Sequence, residues 1–159
     1  MWASACLLTE RSRGSVRLGS ADPTCKPIIR NAFYTEGDDM KRMIDGHRAL
    51  LEICAQPALK PYCAEPFNVP AGDGDAELQA HVARTTFAIY HPVGTCRMSD
   101  TAEDAVVDSR LRVHGMEGLR VVDASIMPLI PGGNTHAPTV MVAEKAADLI
   151  LGLDPPTRD

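Results

Sequence analysis

The chain has 159 residues, of which 45% are hydrophobic and 23% charged, and this is the composition of an ordinary globular domain. It excludes a collagen-like fibre, a disordered tail and a disulfide-dense miniprotein. The 16 Lys and Arg against 21 Asp and Glu give a net charge of −5, so nucleic acid is not an expected partner. The N-terminal residues lack the pattern of a signal peptide, and no apolar run approaches the roughly 20 residues of a membrane span. We therefore expect a cytoplasmic protein with no membrane span.

The cysteines are odd in number and contain no C-x-x-C pair, which predicts free, reduced thiols that are buried as small hydrophobic side chains. No histidines or cysteines stand at a metal-binding spacing such as H-x-x-x-H, so we expect no metal site. The five cysteines are Cys6, Cys25, Cys54, Cys63 and Cys96.

Two short strands are predicted near the start of the chain, over residues 14–19 and 27–34, with a Ser-Ala-Asp-Pro turn between them. Asp38 and Asp39 then supply capping carboxylates for an amphipathic helix that ends before Pro57. His47 lies on the apolar face of this helix and is predicted to be a packed core or boundary histidine rather than a catalytic one.

Residues 57–74 contain four prolines and little periodicity, which predicts a long surface loop. A second helix is predicted from Asp75 to about Thr86, followed by an extended segment over residues 87–90. We predict that His81, on this helix, faces solvent, and that His114, in a later loop, does so too.

Towards the C-terminus, residues 111–113 and 119–122 are predicted to form two strands of a hairpin with a glycine-containing loop. The last helix is predicted from Pro138 to about Leu151, with Gly152 just beyond its end. Its polar side chains form only one narrow stripe, so most of this helix is expected to face protein.

Two histidines stand in segments that a hydrophobic core alone would not select. His91 follows an extended segment and is fixed by Pro92, and His136 follows a Gly- and Asn-rich loop directly before the last helix. The start of a helix carries free N–H groups and the positive end of the helix dipole, so it can hold an anion. No G-x-G-x-x-G turn of a dinucleotide-binding fold is present in the sequence.

Residues 90–98 read Tyr-His-Pro-Val-Gly-Thr-Cys-Arg-Met, residues 118–125 read Gly-Leu-Arg-Val-Val-Asp-Ala-Ser, and residues 133–139 read Gly-Asn-Thr-His-Ala-Pro-Thr. In this order and spacing they closely resemble the C-terminal signature of the glucose-methanol-choline (GMC) oxidoreductases. These are FAD-dependent flavoenzymes that oxidise alcohols, and the choline dehydrogenases are among them. The resemblance extends over residues 7–151.

The resemblance implies an α+β fold, in which an antiparallel sheet with flanking helices forms the substrate-binding domain. On this hypothesis residues 1–159 are the C-terminal substrate and catalytic region, and residues 119–151 return to a Rossmann-like FAD-binding domain that is absent from the sequence. The last helix would pack on that domain. The implied partners are a small alcohol substrate and a flavin domain, either in cis or as a separate chain.

The resemblance also implies that His91 takes the place of the family's general base, and that His136 takes the place of its second active-site residue, which is Asn in many members. One imidazole would donate to the substrate oxygen and the other would accept the hydroxyl proton while FAD receives a hydride; which histidine does which stays open. The N–H groups at the start of the last helix would face the flavin, and Asp123 and Ala124 would lie near its ribityl or pyrophosphate part. The implied cofactor-binding residues are Asp123, Ala124, His136, Ala137, Pro138 and Thr139.

Two functions of different classes follow. The first is the catalytic portion of an FAD-dependent alcohol dehydrogenase or oxidase, inactive when isolated from its flavin domain. The alternative is a truncated, non-catalytic remnant or a split subunit that acts as a binding or interaction module. The presence of His91, His136 and Pro138 together favours the first, and the lack of a dinucleotide turn favours the second for the isolated chain.

Overall fold

The computed structural model describes residues 2–153, which form two units that divide between Ala88 and Ile89. Over these residues, no helix is both long and apolar enough to span a bilayer. The same residues contain no cluster of three or more His, Cys, Asp or Glu that could hold a metal ion.

The first unit begins with a small sheet of two strands. Strand β1 (Ser15–Arg17) pairs antiparallel with β2 (Ile28–Arg30), and Val16 lies opposite Ile29. The predicted pair of strands is confirmed, although both are shorter than predicted. The larger antiparallel sheet that the family resemblance implied is not formed within the described residues. In this part of the chain, β1 and β2 are the only strands that form a sheet.

Two helices form the core of the first unit. Helix α1 (Asp39–Cys54) and helix α2 (Asp75–Thr85) contact each other, and both helix predictions are confirmed. Ile44 from α1 and Leu78 and Val82 from α2 are buried, as expected for the apolar faces of amphipathic helices. The segment between the helices is the predicted loop, with one turn of 3₁₀ helix over Lys60–Tyr62.

Contrary to the prediction, the side chain of Asp39 does not cap α1. Its side chain is only 1% exposed, and its carboxylate accepts hydrogen bonds from the backbone N–H groups of Arg11, at 2.9 Å, and Ser12, at 2.7 Å. Arg42, one turn along the helix, approaches the same carboxylate at 3.7 Å. Asp38, the residue before the helix, makes no capping bond either. The buried carboxylate thus ties the N-terminal segment to the start of α1.

His81 is buried, contrary to the prediction that it faces solvent. It is 8% exposed, and its ring packs edge-on against that of His47, with ring centroids 5.6 Å apart. His47 itself is half-buried, and its Nδ1 lies 3.0 Å from the carbonyl oxygen of Met43. The prediction of a packed His47 is confirmed, and His81 is its partner in the α1–α2 interface.

This histidine pair makes the stability of the first unit depend on pH. Burial, together with the nearby positive charges of His47 and Arg84, lowers the pKa of His81 below its ordinary value of 6.5. The unfolded chain therefore binds a proton at this histidine more readily than the folded chain does. The contribution of neutral His81 to the stability of the first unit is complete above pH 6.5 and is lost as the pH falls below that value. We expect the urea midpoint of unfolding to fall as the pH is lowered through this range.

The variant His81→Gln keeps a polar side chain without an ionisable group, so it should show a smaller fall in urea midpoint than the parent chain. The comparison is made by urea unfolding of both chains at several values of pH, with helix signal as the measure. An equal fall in both chains would show that His81 does not carry the effect.

The second unit contains little regular strand. The predicted hairpin of residues 111–122 is reduced to isolated bridges, in which Val107 pairs with Val113 and Arg112 with Arg120. Leu111, at the predicted start of the first strand, has a positive φ of 63°, a conformation that a β-strand does not accommodate.

The core of the second unit lies between these bridged segments, a 3₁₀ turn over Ala124–Ile126 and the last helix, α3 (His136–Leu151). Helix α3 begins two residues before the predicted Pro138 and ends as predicted, with Gly152 in the left-handed conformation at φ 70°. The buried apolar residues of this core are Val107, Leu111, Ile126, Met127, Val142 and Ala146.

Only Val142 and Ala146 of α3 are buried within the described chain. This limited burial is what is expected of a helix whose apolar surface packs on a domain outside the sequence. The prediction of buried cysteines is wrong. The cysteines are free, as predicted, but none is buried: Cys54 and Cys96 are half-buried and the other three are exposed.

Candidate active site

His91 is held at the start of a tightly constrained loop. The preceding Tyr90 has a positive φ of 64°, which is unusual for a bulky residue, and the following Pro92 restricts the conformation of His91 itself. The imidazole is half-buried, and its Nδ1 lies 3.0 Å from Oγ1 of Thr135. This hydrogen bond joins the first of the two predicted site segments to the second.

Backbone hydrogen bonds fix the loop after His91 against residues 125–128. The N–H of Cys96 donates to the carbonyl of Ser125 at 3.0 Å, and the N–H of Met98 donates to that of Ile126 at 2.8 Å. Gly94 has a φ of 86°, and a Cβ there would lie 3.4 Å from the carbonyl oxygen of Met127, so a larger residue would be strained. The loop is therefore anchored along most of its length.

The side chains of Arg97 and His114 brace this loop rather than enlarge the site. The Arg97 guanidinium donates to the backbone carbonyl of Asp104 and, at 3.1 Å, to its carboxylate. His114 is half-buried, with Nε2 lying 2.9 Å from the carbonyl oxygen of Ser99. The prediction that His114 faces solvent is thus wrong.

His136 is the first residue of α3 and is exposed. It follows Thr135 directly, so the backbone places it next to the residue that contacts His91. No side chain caps this end of the helix, and the N–H groups of a first turn have no partners within the helix. Ala137 is exposed as well, whereas the half-buried Pro138 has no N–H to offer.

The other predicted cofactor-binding residues lie on two segments of the same unit. Asp123 is exposed, and its Oδ1 accepts a hydrogen bond of 2.7 Å from the N–H of Ser125, leaving Oδ2 without such a bond in the described chain. Ala124 packs against the core. The hydroxyl of Thr139 donates to the carbonyl of Thr135 at 2.7 Å, so it serves the first turn of α3.

Thr135 is the site residue that the sequence did not single out. It is 8% exposed and is the only side chain with a hydrogen bond to His91 within the described residues. The signal available in the sequence was local: a threonine stands a few residues before the predicted start of the last helix, next to a histidine. Its partner is 44 residues away, and no local pattern identifies that pairing.

Comparison with known proteins identifies the family. A sequence profile described as GMC oxidoreductase, for the C-terminal region, matches residues 10–143. The chain belongs to the GMC oxidoreductase family. The family resemblance seen in the sequence is thereby confirmed.

Curated GMC relatives include choline dehydrogenases. The oxygen-dependent choline dehydrogenase 1 of Chromohalobacter salexigens is 45% identical over 147 residues, which are 91% of this chain and 26% of the relative. That of Burkholderia multivorans is 47% identical over 146 residues, 91% of this chain and 25% of the relative. The chain thus spans about a quarter of the length of these relatives and matches a C-terminal GMC region.

Solved GMC structures share the fold. The crystal structure of pyridoxine 4-oxidase from Mesorbium loti superimposes with a TM-score of 0.84 at 34% identity, covering 92% of this chain and 29% of the oxidase. A fungal aryl-alcohol oxidase superimposes with a TM-score of 0.77, also at 34% identity, covering 92% of this chain and 24% of the oxidase. The fold of this chain is therefore similar to part of these larger oxidases.

The residues present suit FAD, the cofactor that this family implies. The exposed, uncapped end of α3 offers backbone N–H groups to an electron-rich, hydrogen-bond-accepting ring edge. The exposed carboxylate of Asp123 is an acceptor suited to hydroxyl groups such as those of a ribityl chain. Both lie in the same unit as His91, and the chemistry of these groups is compatible with FAD.

Proposed function

We propose that this chain is the catalytic C-terminal portion of an FAD-dependent oxidoreductase that acts on the CH–OH group of a small primary or secondary alcohol. The observation that carries the proposal is the hydrogen bond between His91 and Thr135, which joins the two histidine-bearing segments of a GMC chain. FAD, when bound, supplies the acceptor for the hydride that leaves the alcohol carbon.

His91 is the residue best suited to take the hydroxyl proton. A neutral imidazole has one nitrogen that can accept a proton, and histidine titrates in the range where general-base catalysis operates near neutral pH. The side chain is half-buried and held from one side by Thr135, so its ring has less freedom than that of an exposed histidine. Such restriction lowers the entropic cost of aligning a base with its substrate.

His136 would bind the same hydroxyl group from the other segment. It is exposed at the first position of α3, and an imidazole can donate a hydrogen bond to an alcohol oxygen. In this arrangement Ala137 and His136 present backbone N–H groups towards the ring edge of the cofactor, while Pro138 and Thr139 shape the first turn. Asp123 and Ala124 would lie along the ribityl or pyrophosphate part.

The proposed partner is an FAD-binding domain, in cis or as a separate chain, that covers the open face of α3. Several large apolar side chains of this helix are about half or more exposed, and the proposed domain would cover them. These side chains are Val140, Met141, Ile150 and Leu151.

The proposal is tested with a chimera. In the choline dehydrogenase 1 of Chromohalobacter salexigens, the matching C-terminal residues are replaced by this chain, with which they are 45% identical. We expect the chimera to purify with bound FAD and its yellow absorbance to be bleached anaerobically by at least one alcohol from a panel of choline, benzyl alcohol and short aliphatic alcohols. Residues 1–159 alone should purify without stoichiometric flavin.

The outcomes separate the two classes of function. Flavin bleaching that requires this chain and increases with alcohol concentration supports the enzymatic function. A chimera that folds and holds FAD in stoichiometric amount, yet is reduced by dithionite and by none of the alcohols, would contradict it and favour a non-catalytic interaction module.

A further inference from the structure

Thr135 occupies the position of a helix cap without acting as one. The side chain of a threonine at that position ordinarily accepts a hydrogen bond from the backbone N–H of the second or third helical residue. Here no such bond is made, and Thr135 has the helical torsions φ −84° and ψ −6° instead of the extended ones typical of a cap. The third helical residue is Pro138, which has no N–H to be capped.

The Thr135 hydroxyl is directed to His91 instead, at 3.0 Å from Nδ1, and the threonine is almost fully buried. A side chain that departs from its ordinary local role in a buried position is typical of a functional site. The contact also determines which ring nitrogen of His91 remains available for another partner, because Nδ1 is already hydrogen-bonded.

We propose that Thr135 is a positioning residue for His91: its hydroxyl oxygen accepts a hydrogen bond from the Nδ1–H of the imidazole and thereby fixes the neutral ring with its lone pair on Nε2. This inference rests on the proposed function and deepens it, because it assigns proton acceptance to Nε2 of His91 and leaves His136 as the donor to the substrate oxygen. The nitrogen that bears the proton in a neutral histidine is set by the hydrogen bond that the other nitrogen makes.

The tautomer is measured directly on the full 159-residue chain. Two-bond correlations between ring protons and ¹⁵N nuclei, recorded near pH 8 where an ordinary histidine is neutral, show which nitrogen of His91 carries the proton. We expect the proton on Nδ1 in the parent chain and in Thr135→Ser, and a loss of this preference in Thr135→Val. Thr95→Val is the control, because it removes an exposed hydroxyl from the loop that follows His91 and should leave the tautomer unchanged.

A parent chain with the proton on Nε2 would overturn the proposal, since the threonine would then be the donor and His91 could not accept at Nε2. An unchanged tautomer in a folded Thr135→Val chain would overturn it as well. If the valine variant fails to fold, the parent tautomer and the serine variant still decide the question.

A kinetic measurement in the FAD-loaded chimera separates positioning from general stability. Thr135→Val should lower kcat by up to roughly 10²-fold with little change in KM, as expected when a catalytic group is misplaced, and serine should restore the rate. In a chimera that already carries His91→Ala, the valine substitution should change the rate little, and a full additional loss there would contradict positioning through His91. The tautomer measurement needs no turnover, so its failure is distinguishable from a failure of the proposed function, which the single His91→Ala variant tests.

Discussion

Replacing His91 by alanine in the FAD-loaded chimera is expected to slow alcohol oxidation by roughly 10²–10⁴-fold, the usual contribution of a general base. The imidazole is half-buried and its only side-chain hydrogen bond within the described residues is to Thr135, so its removal should leave the core of the second unit intact. The rate of anaerobic flavin bleaching measures the effect, and the flavin absorbance before alcohol is added verifies that the cofactor stays bound.

Two substitutions of His136 are expected to slow alcohol oxidation to different extents. His136→Asn keeps a hydrogen-bond donor at the start of α3, so it should reduce the rate less than His136→Ala. His47→Ala is the control, because His47 packs against His81 in the first unit and should affect stability more than turnover. If the alanine variants of His91 and His136 both retain turnover within about twofold of the parent chimera, the catalytic assignment is wrong.

Replacing Asp39 by alanine is expected to destabilise the first unit by about 3 kcal/mol. The substitution leaves the N–H groups of Arg11 and Ser12 without their shared acceptor and removes the charge that faces Arg42. The two N–H groups are partly buried and lose a charged acceptor, and hydrogen bonds to charged groups are worth more than ordinary ones. Urea unfolding measures the loss, and faster amide exchange at Arg11 and Ser12 locates it.

Asp38→Ala is the matched control, since its carboxylate is half-exposed and lies 4.0 Å from the Arg11 guanidinium. Such a surface pair contributes little, so the change should be within about 0.5 kcal/mol. Equal effects of the two substitutions would show that the burial of Asp39 has no energetic consequence.

The same carboxylate predicts the direction of acid sensitivity. Burial alone would raise the pKa of Asp39, but the hydrogen bonds from Arg11 and Ser12, with the charge of Arg42, hold it below its ordinary value of 3.8. The stabilisation is therefore present above pH 3.8 and is lost as the pH falls through the lower pKa of the folded chain. Asp39→Ala should lack this part of the acid transition.

Helices were the most predictable part of the fold, because their signals are local. Apolar side chains three and four residues apart, together with Pro57 beyond its end, predicted α1, and Asp75 marked the start of α2. The hairpin of residues 111–122 was less predictable, because Leu111 adopts a positive φ and the pairing partners include Val107, outside the predicted hairpin. Strand pairing depends on non-local contacts that alternation of side chains does not identify.

Burial of polar side chains could not be predicted for the same reason. His81 and Asp39 are buried by partners from other segments, His47 on α1 and the backbone at Arg11 and Ser12. The sequence indicated the two histidine-bearing segments of the candidate site through their resemblance to GMC enzymes. Their connection through Thr135 required the folded chain, and the roles assigned to His91 and His136 stay predictions.

The segment after His91 is hydrogen-bonded on both of its edges, and this limits how its length can change in evolution. Cys96 and Met98 bond to residues 125 and 126 on one side, whereas Arg97 and Ser99 bond to residues 106 and 107 on the other. An insertion or deletion here would shift both sets of bonds at once and rotate alternate side chains to the opposite face. Changes of length are accommodated more readily in the exposed stretch of residues 100–104, where one turn of 3₁₀ helix links the paired segments.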